Sequence, residues 1–324
     1  MKKILMAKAA RSIVEINLGV KPGEQVAIVT EPKQMRITEA LAAAVVAAGA
    51  EPTIHLLMPR ERDGQEPPKT VAAAMKESDA FIGAVYTSIT HTHAVKDACA
   101  AGSRGVMLTQ FNEEQMIKGG VNANFYEAAA NCEKVAKVLA GAEVITITTP
   151  MGTNLKLSGK GRRGNAMTGI VKAGRFAPVP TIEANVSPVE GSANGVIVAD
   201  ASIPYIGIGL LKVPVRAEVK DGYIIPESIS GGEEAKKLAD DWISKKDPQV
   251  YNVAEVGVGL NPECVFTGSM LEDEGVYGSL HIGVGTNITL GGVIKAACHY
   301  DLIMTKPTLT ADGVTILKDG ELML

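Results

Sequence analysis

Two short segments of this 324-residue chain share an arrangement that could do chemistry. Ala254–Leu260 reads AEVGVGL and Leu280–Thr286 reads LHIGVGT. Side chains alternate along a strand. Glu255, Gly257 and Gly259 therefore share one face of the first segment, and His281, Gly283 and Gly285 share one face of the second, with aliphatics opposite. Glycine weakens a strand interior and marks a close approach to the backbone; open space beside a metal ligand is one reason for it. In a third segment, Ala297–Met304 (ACHYDLIM), His299 and Asp301 point the same way. In a fourth, Thr181–Ser187 (TIEANVS), Glu183 and Asn185 lie on a polar face. Glu183, Glu255, His281, His299 and Asp301 can thus meet in one interior, and the acidic run Glu272-Asp273-Glu274 shortly precedes His281. A single glutamate on an amphipathic strand most often faces solvent. Imidazoles sharing their strand face with carboxylate or glycine argue instead for zinc, cobalt, manganese or iron. About three or four donors hold one ion, and about five or six suit two ions that share a carboxylate.

The elements that must position these residues change character near Pro150. Before it, β-branched runs (Gln25–Thr30, Thr53–Leu57, Phe81–Tyr86, Gly105–Leu108, Glu143–Thr148) alternate with helical stretches (Arg36–Ala48, Thr70–Met75, Ala94–Ala101, Glu127–Leu139). That order implies βαβ units and a mostly parallel sheet. Residues 1–150 are therefore expected to form an α/β, Rossmann-like domain, although no GxGxxG follows the first strand and dinucleotide binding is set aside. Residues 151–324 show short alternating segments, with hairpin-type turns at Asp221-Gly222, Asp312-Gly313 and Asp319-Gly320 and one strong helix at Glu233–Ser244. They are expected to form a mainly β (α+β) metal-binding catalytic domain.

Composition narrows the function. A net charge of -4 and 4% aromatic residues argue against nucleic acid as a partner. Lys8 and Arg11 interrupt any signal-peptide core, and no apolar run is long enough for a bilayer. Cys99, Cys132, Cys264 and Cys298 form no CxxC pair, as expected of reduced thiols in a cytoplasmic protein.

The second half resembles the M29 metallo-aminopeptidases, the aminopeptidase T-like group. The likeness runs through TIEANVSPVEGSANGVIV, AEVGVGLNPE, LEDEGVYGSLHIGVG and CHYDLIM. It implies Glu183, Glu255, Glu274, His281, His299 and Asp301 as ligands of two divalent ions (Zn, Co or Mn), with Glu183 or Glu274 as general base; Glu274 rather than Glu272 enters only through this resemblance. It also implies a homodimer. The family's tyrosine downstream of His281 is Ile288 here. A second, more distant resemblance is to the 2,5-dihydroxypyridine 5,6-dioxygenases, at AEVGVGLNPE, CHYDLIM and His91 of SITHTHAV. That group holds one Fe(II) with two histidines and an aspartate; its first histidine stands where this chain has Glu255, and it has none at the His281 position. A triad of His281, His299 and Asp301 would suit Fe(II) and O₂ but leave Glu183 and Glu255 as surplus buried charge.

The leading expectation is accordingly a metal-dependent hydrolase cleaving a peptide or small amide bond with a metal-activated water. The alternative is a mononuclear Fe(II) ring-cleaving dioxygenase. A small-molecule or short-peptide substrate is expected in either case, with neither nucleic acid nor membrane as partner. His91 is a candidate substrate-facing residue, because parallel sheets place ligands at the C-terminal ends of their strands. His93 reads as surface and His55 as core. SGKGRRG (Ser158–Gly164) lacks the ending of a phosphate-binding loop and reads as a basic hairpin tip.

Overall fold

A computed structural model describes residues 2–324. The chain forms two compact units. One takes the chain up to Tyr126 together with Thr168–Pro180; the other takes Glu127–Met167 and Thr181–Leu324. Where the sequence suggested one boundary at residue 150, the chain instead passes between the units three times.

In the first unit, the strands Glu51–Leu56, Gln25–Thr30, Ala80–Ala84, Arg104–Met107 and Phe176–Pro178 lie side by side in that order, all parallel. Helices Met35–Ala47, Lys69–Glu77 and His93–Ala100 make the crossovers. Val29, Val71, Met75, Phe81, Val95 and Met107 pack into one core. The fifth strand was misplaced by the sequence reading. Ile145–Thr148 pairs antiparallel with Asn154–Leu157 and Thr308–Ala311, in the other unit. The turn at Gly152, whose φ is 108°, folds it back as a hairpin before any crossover can form. The edge strand Glu51–Leu56 is largely exposed, so His55 is not a core residue; its Nε2 lies 3.0 Å from Thr53 Oγ1.

The second unit holds two antiparallel sheets. One is built around Asn194–Ala199, Asn154–Leu157, Ile145–Thr148 and Thr308–Ala311. The three Asp-Gly turns have both residues at positive φ (49° and 84°, 48° and 82°, 51° and 87°), the geometry that tight hairpins favour. The other sheet runs Gly209–Leu210, Ser202–Ile203, His299–Met304, Leu280–Gly285, Val253–Gly259, Glu183–Val186, Gly164–Met167. The helix expected at Glu233–Ser244 forms with those bounds. Among the described residues no helix is long and apolar enough to cross a membrane.

Arg104 anchors the first unit's sheet. Its guanidinium donates to Glu24 Oε2 at 2.6 Å and Oε1 at 3.0 Å, and to the carbonyls of Leu18 and Gly19 at 2.7 and 3.0 Å. Burial alone would raise the Glu24 carboxyl, but these bonds and the Lys21 backbone N–H hold it below its usual 4.5. Arg104→Ala is expected to destabilise the protein by about 2 kcal/mol at neutral pH. A carboxyl depressed on folding stabilises above its unfolded pKa and loses that contribution as pH falls through the folded one. The gap between wild type and variant should therefore narrow in strong acid. Denaturant unfolding at both pH values measures it, and a constant gap would contradict the role of the pair.

Candidate metal centre

The expected donors converge on one face of the second sheet. In the strand register, Glu183 sits opposite Gly259, Glu255 and Asp301 both flank Gly283, His281 sits opposite Gly257 and His299 opposite Gly285. Every donor thus has a glycine as lateral neighbour. The space those glycines leave is filled by the donors themselves. A Cβ at Gly257 would collide with the His281 ring, and one at Gly283 would lie 2.6 Å from His299 Nε2. Gly259 serves differently: a Cβ there would strike the Val276 carbonyl, so it admits the loop that carries Glu274.

Two compact donor groups result, Glu183–Glu255–His281 and Glu255–His299–Asp301, and they share Glu255. His281 Nε2 lies 3.4 Å from Glu183 Oε2 and 4.0 Å from Glu255 Oε1. His299 Nε2 lies 2.9 Å from Glu255 Oε2 and 3.3 Å from Asp301 Oδ1. Neither compact group holds the triad of His281, His299 and Asp301; each contains a single imidazole and two carboxylates. Glu274 lies at the margin, its Oε1 3.0 Å from the Tyr205 hydroxyl. Glu272, by contrast, accepts from the Val265 N–H and serves its own loop.

Polar contacts behind the donors fix their orientation. His299 Nδ1 is 2.7 Å from the Thr286 carbonyl, which calls for a proton on Nδ1 and turns Nε2 toward the carboxylates. Asn185 Nδ2 donates to Glu183 Oε1 at 2.8 Å, and Asn165 Nδ2 donates to Asn185 Oδ1 at 2.8 Å. The Tyr205 hydroxyl donates a hydrogen bond to Asp301 Oδ2. Sequence reasoning missed Tyr205, which sits in a turn rather than on a strand.

Burial dominates the electrostatics. It pushes Glu183 up to about 7, helped by Glu255 and opposed by His281. It also raises Glu255, and raises Glu274 well above its usual range with Asp301 and Glu183 adding to it. Burial would raise Asp301 as well, but the charge of His299, with the Tyr205 hydroxyl adding to it, outweighs it and the carboxyl is held low. Burial would lower His299; Asp301 and Glu255 raise it instead. The protein's own cations do not compensate this many buried acids. Glu183 Oε2 and Asp301 Oδ1 are buried without a hydrogen-bond partner, and each faces an imidazole nitrogen. Such orphaned carboxylate oxygens beside imidazole nitrogens fit a divalent cation, which would take the place of any proton between them.

The remaining candidates are not members of either compact donor group. His91 is exposed and belongs to the first unit, just before the helix capped by Thr92. His93 is exposed as expected and pairs with Glu66 at 3.0 Å. In SGKGRRG, Arg162 forms an ion pair with Glu190 and donates to the Gly291 carbonyl at 2.5 Å, while Arg163 donates to Thr289 O at 3.1 Å. These cations tie down the 286–293 loop. Cys298 belongs to neither compact donor group.

The family model described as NicX: 2,5-dihydroxypyridine 5,6-dioxygenase matches residues 15–324. The chain belongs to this family. A curated 2,5-dihydroxypyridine 5,6-dioxygenase from Pseudomonas putida KT2440 is 28% identical over 148 residues, an alignment covering 42% of this chain and only 41% of that protein. The structure of 2,5-dihydroxypyridine dioxygenase from the same strain superposes with a TM-score of 0.82 at 18% identity, covering 99% of this chain and 97% of that one. Wild-type AmpT from Thermus thermophilus superposes with a TM-score of 0.73 at 16% identity over the full length of both chains. At such identities both structures speak for the fold alone.

These findings overturn the leading expectation of an amide hydrolase. The family and the curated relative favour the dioxygenase, and AmpT enters only as a structural neighbour. Surplus buried charge had tipped the sequence reading toward hydrolysis. In this NicX-family chain Glu183 and Glu255 are not surplus, because Asn185 and the two imidazoles engage them. Buried carboxylates therefore do not separate the two chemistries.

The glycine floor can be tested. Gly257→Ala should keep the sheet, since only the face bearing His281 changes, but should displace that ring. Divalent-metal affinity, read by chelator competition alongside circular dichroism, is expected to fall at least about 10-fold. Unchanged affinity would show that His281 does not serve the site.

Proposed function

We propose that this protein is a metal-dependent ring-cleaving dioxygenase acting on a hydroxylated nitrogen heteroaromatic, of which 2,5-dihydroxypyridine is the first candidate. The observation carrying this reading is the family match over residues 15–324, joined to a buried set of imidazole and carboxylate donors that fits a divalent cation. Fe(II) is the proposed ion, with Glu255, His299 and Asp301 as its holders; His281 and Glu183 adjoin through the shared Glu255. Bound there, Fe(II) would supply the one-electron chemistry that lets O₂ react with an electron-rich ring.

The chain's own residues set the conditions for that reaction. The Thr286 carbonyl engages Nδ1 of His299, so Nε2 is the nitrogen that would hold the ion. Asn185 and Tyr205 each occupy one oxygen of a carboxylate. Glu183, with its carboxyl pushed up to about 7, is suited to exchanging a proton with a ring hydroxyl. The buried aliphatics opposite the donors, Val256, Val258, Ile282 and Val284, keep water from the sheet's other face. The smaller share of the chain aligned with the curated relative leaves the ring's substituents as part of this proposal.

Protein loaded anaerobically with Fe(II) should consume O₂ when given 2,5-dihydroxypyridine, with matching loss of ring absorbance. His299→Ala and Asp301→Ala should each lower the rate on the order of 100-fold, beyond the usual effect of losing an outer-shell partner. No O₂ uptake by iron-loaded wild type with any dihydroxylated pyridine would end this reading.

A further inference from the structure

The two oxygens of Asp301 have different surroundings. Oδ2 takes a hydrogen bond from the Tyr205 hydroxyl, which also lies 3.0 Å from Glu274 Oε1, whereas Oδ1, 3.3 Å from His299 Nε2, is buried with no hydrogen-bond partner. Glu183 repeats the division: Asn185 donates to Oε1, and Oε2, 3.4 Å from His281 Nε2, is likewise orphaned. Glu255 differs, because its two oxygens face the two imidazoles. The polar groups behind the site thus withhold one oxygen from each outer carboxylate and leave the other facing inward.

The segment presenting Tyr205 is built to hold it still. Ile208 N–H donates to the Tyr205 carbonyl at 2.9 Å, closing a turn whose central residues, Ile206 and Gly207, have φ of 48° and 70°. A β-branched residue is a genuine outlier in that region, and such outliers persist where the surroundings over-determine them. The Tyr205 ring also stacks on Tyr300, with centroids 4.9 Å apart. Tyr300 lies between His299 and Asp301 in sequence, so one strand supplies both the platform for the phenol and the carboxylate it binds.

We propose that Tyr205 is a positioning residue: its hydroxyl restricts Asp301 to one-oxygen ligation and so keeps a coordination position open for substrate or O₂. A carboxylate freed from such a partner can swing to offer both oxygens and close that position. This rests on the metal-centre reading, and the test separates the two. Co(II) is the probe, because its visible absorption weakens as coordination number rises. Tyr205→Phe keeps the ring and its stacking and removes only the hydroxyl. Relative to wild type, the Phe variant is expected to show a weaker Co(II) band and an affinity lowered about 10-fold, with the melting temperature of the metal-free protein unchanged. A wild-type protein without a Co(II) band overturns the metal centre and this role with it. A wild-type band that Tyr205→Phe reproduces in shape, intensity and affinity overturns the role of Tyr205 alone. Should the Phe variant fail to fold, Tyr205→Leu removes the hydroxyl with a smaller side chain. The same weakening is then expected, and an unaltered band overturns the proposal.

Discussion

The structure turns on one constraint. Three carboxylates and two imidazoles share one face of an antiparallel sheet, and that face can hold them only because its lateral neighbours lack side chains. Alternation sends the donors to one side, but adjacent strands would normally set bulky residues beside them. Glycines at 257 and 283 remove that obstruction, and rings from neighbouring strands lie over the bare backbone. The opposite face, with Val256, Val258, Ile282 and Val284 buried on it, provides the packing that glycine cannot. Local strand stability is thereby exchanged for donor density.

Much of this could be read in the sequence, for a definite reason. Period-two alternation is a local rule, and it placed Glu183, Glu255, His281, His299 and Asp301 on one face without knowledge of strand order. It also marked the glycines as significant, although the space beside Gly257 and Gly283 proved to belong to the neighbouring strand's imidazole and not to a bound group. What escaped was non-local. Tyr205 lies in a turn with no periodicity, and only strand order brings it to Asp301. Ile145–Thr148 has the composition of any buried strand; its partners lie after Pro150 and near the C-terminus, beyond what the segment itself can show.

The comparisons show how weakly architecture constrains chemistry. A dioxygenase and AmpT superpose on this chain with TM-scores of 0.82 and 0.73. What could distinguish such proteins is the donor set and the groups behind it. Here each imidazole meets one outer carboxylate and one oxygen of Glu255. A glutamate spanning both imidazoles makes the two halves of the cluster interdependent, since any change at one histidine is felt through the carboxylate at the other.

The path of the backbone has a consequence for how this molecule can be divided. After Met167 the chain leaves the donor-bearing unit, runs through the fifth strand of the parallel sheet and re-enters at Thr181, immediately ahead of Glu183. A fragment starting at residue 151 would lack Ile145–Thr148, the neighbour of both Asn154–Leu157 and Thr308–Ala311. Neither half is a cassette that could be transplanted by a single cut. Recombination that preserves the donors must carry the parallel-sheet strand along as part of the same inheritance.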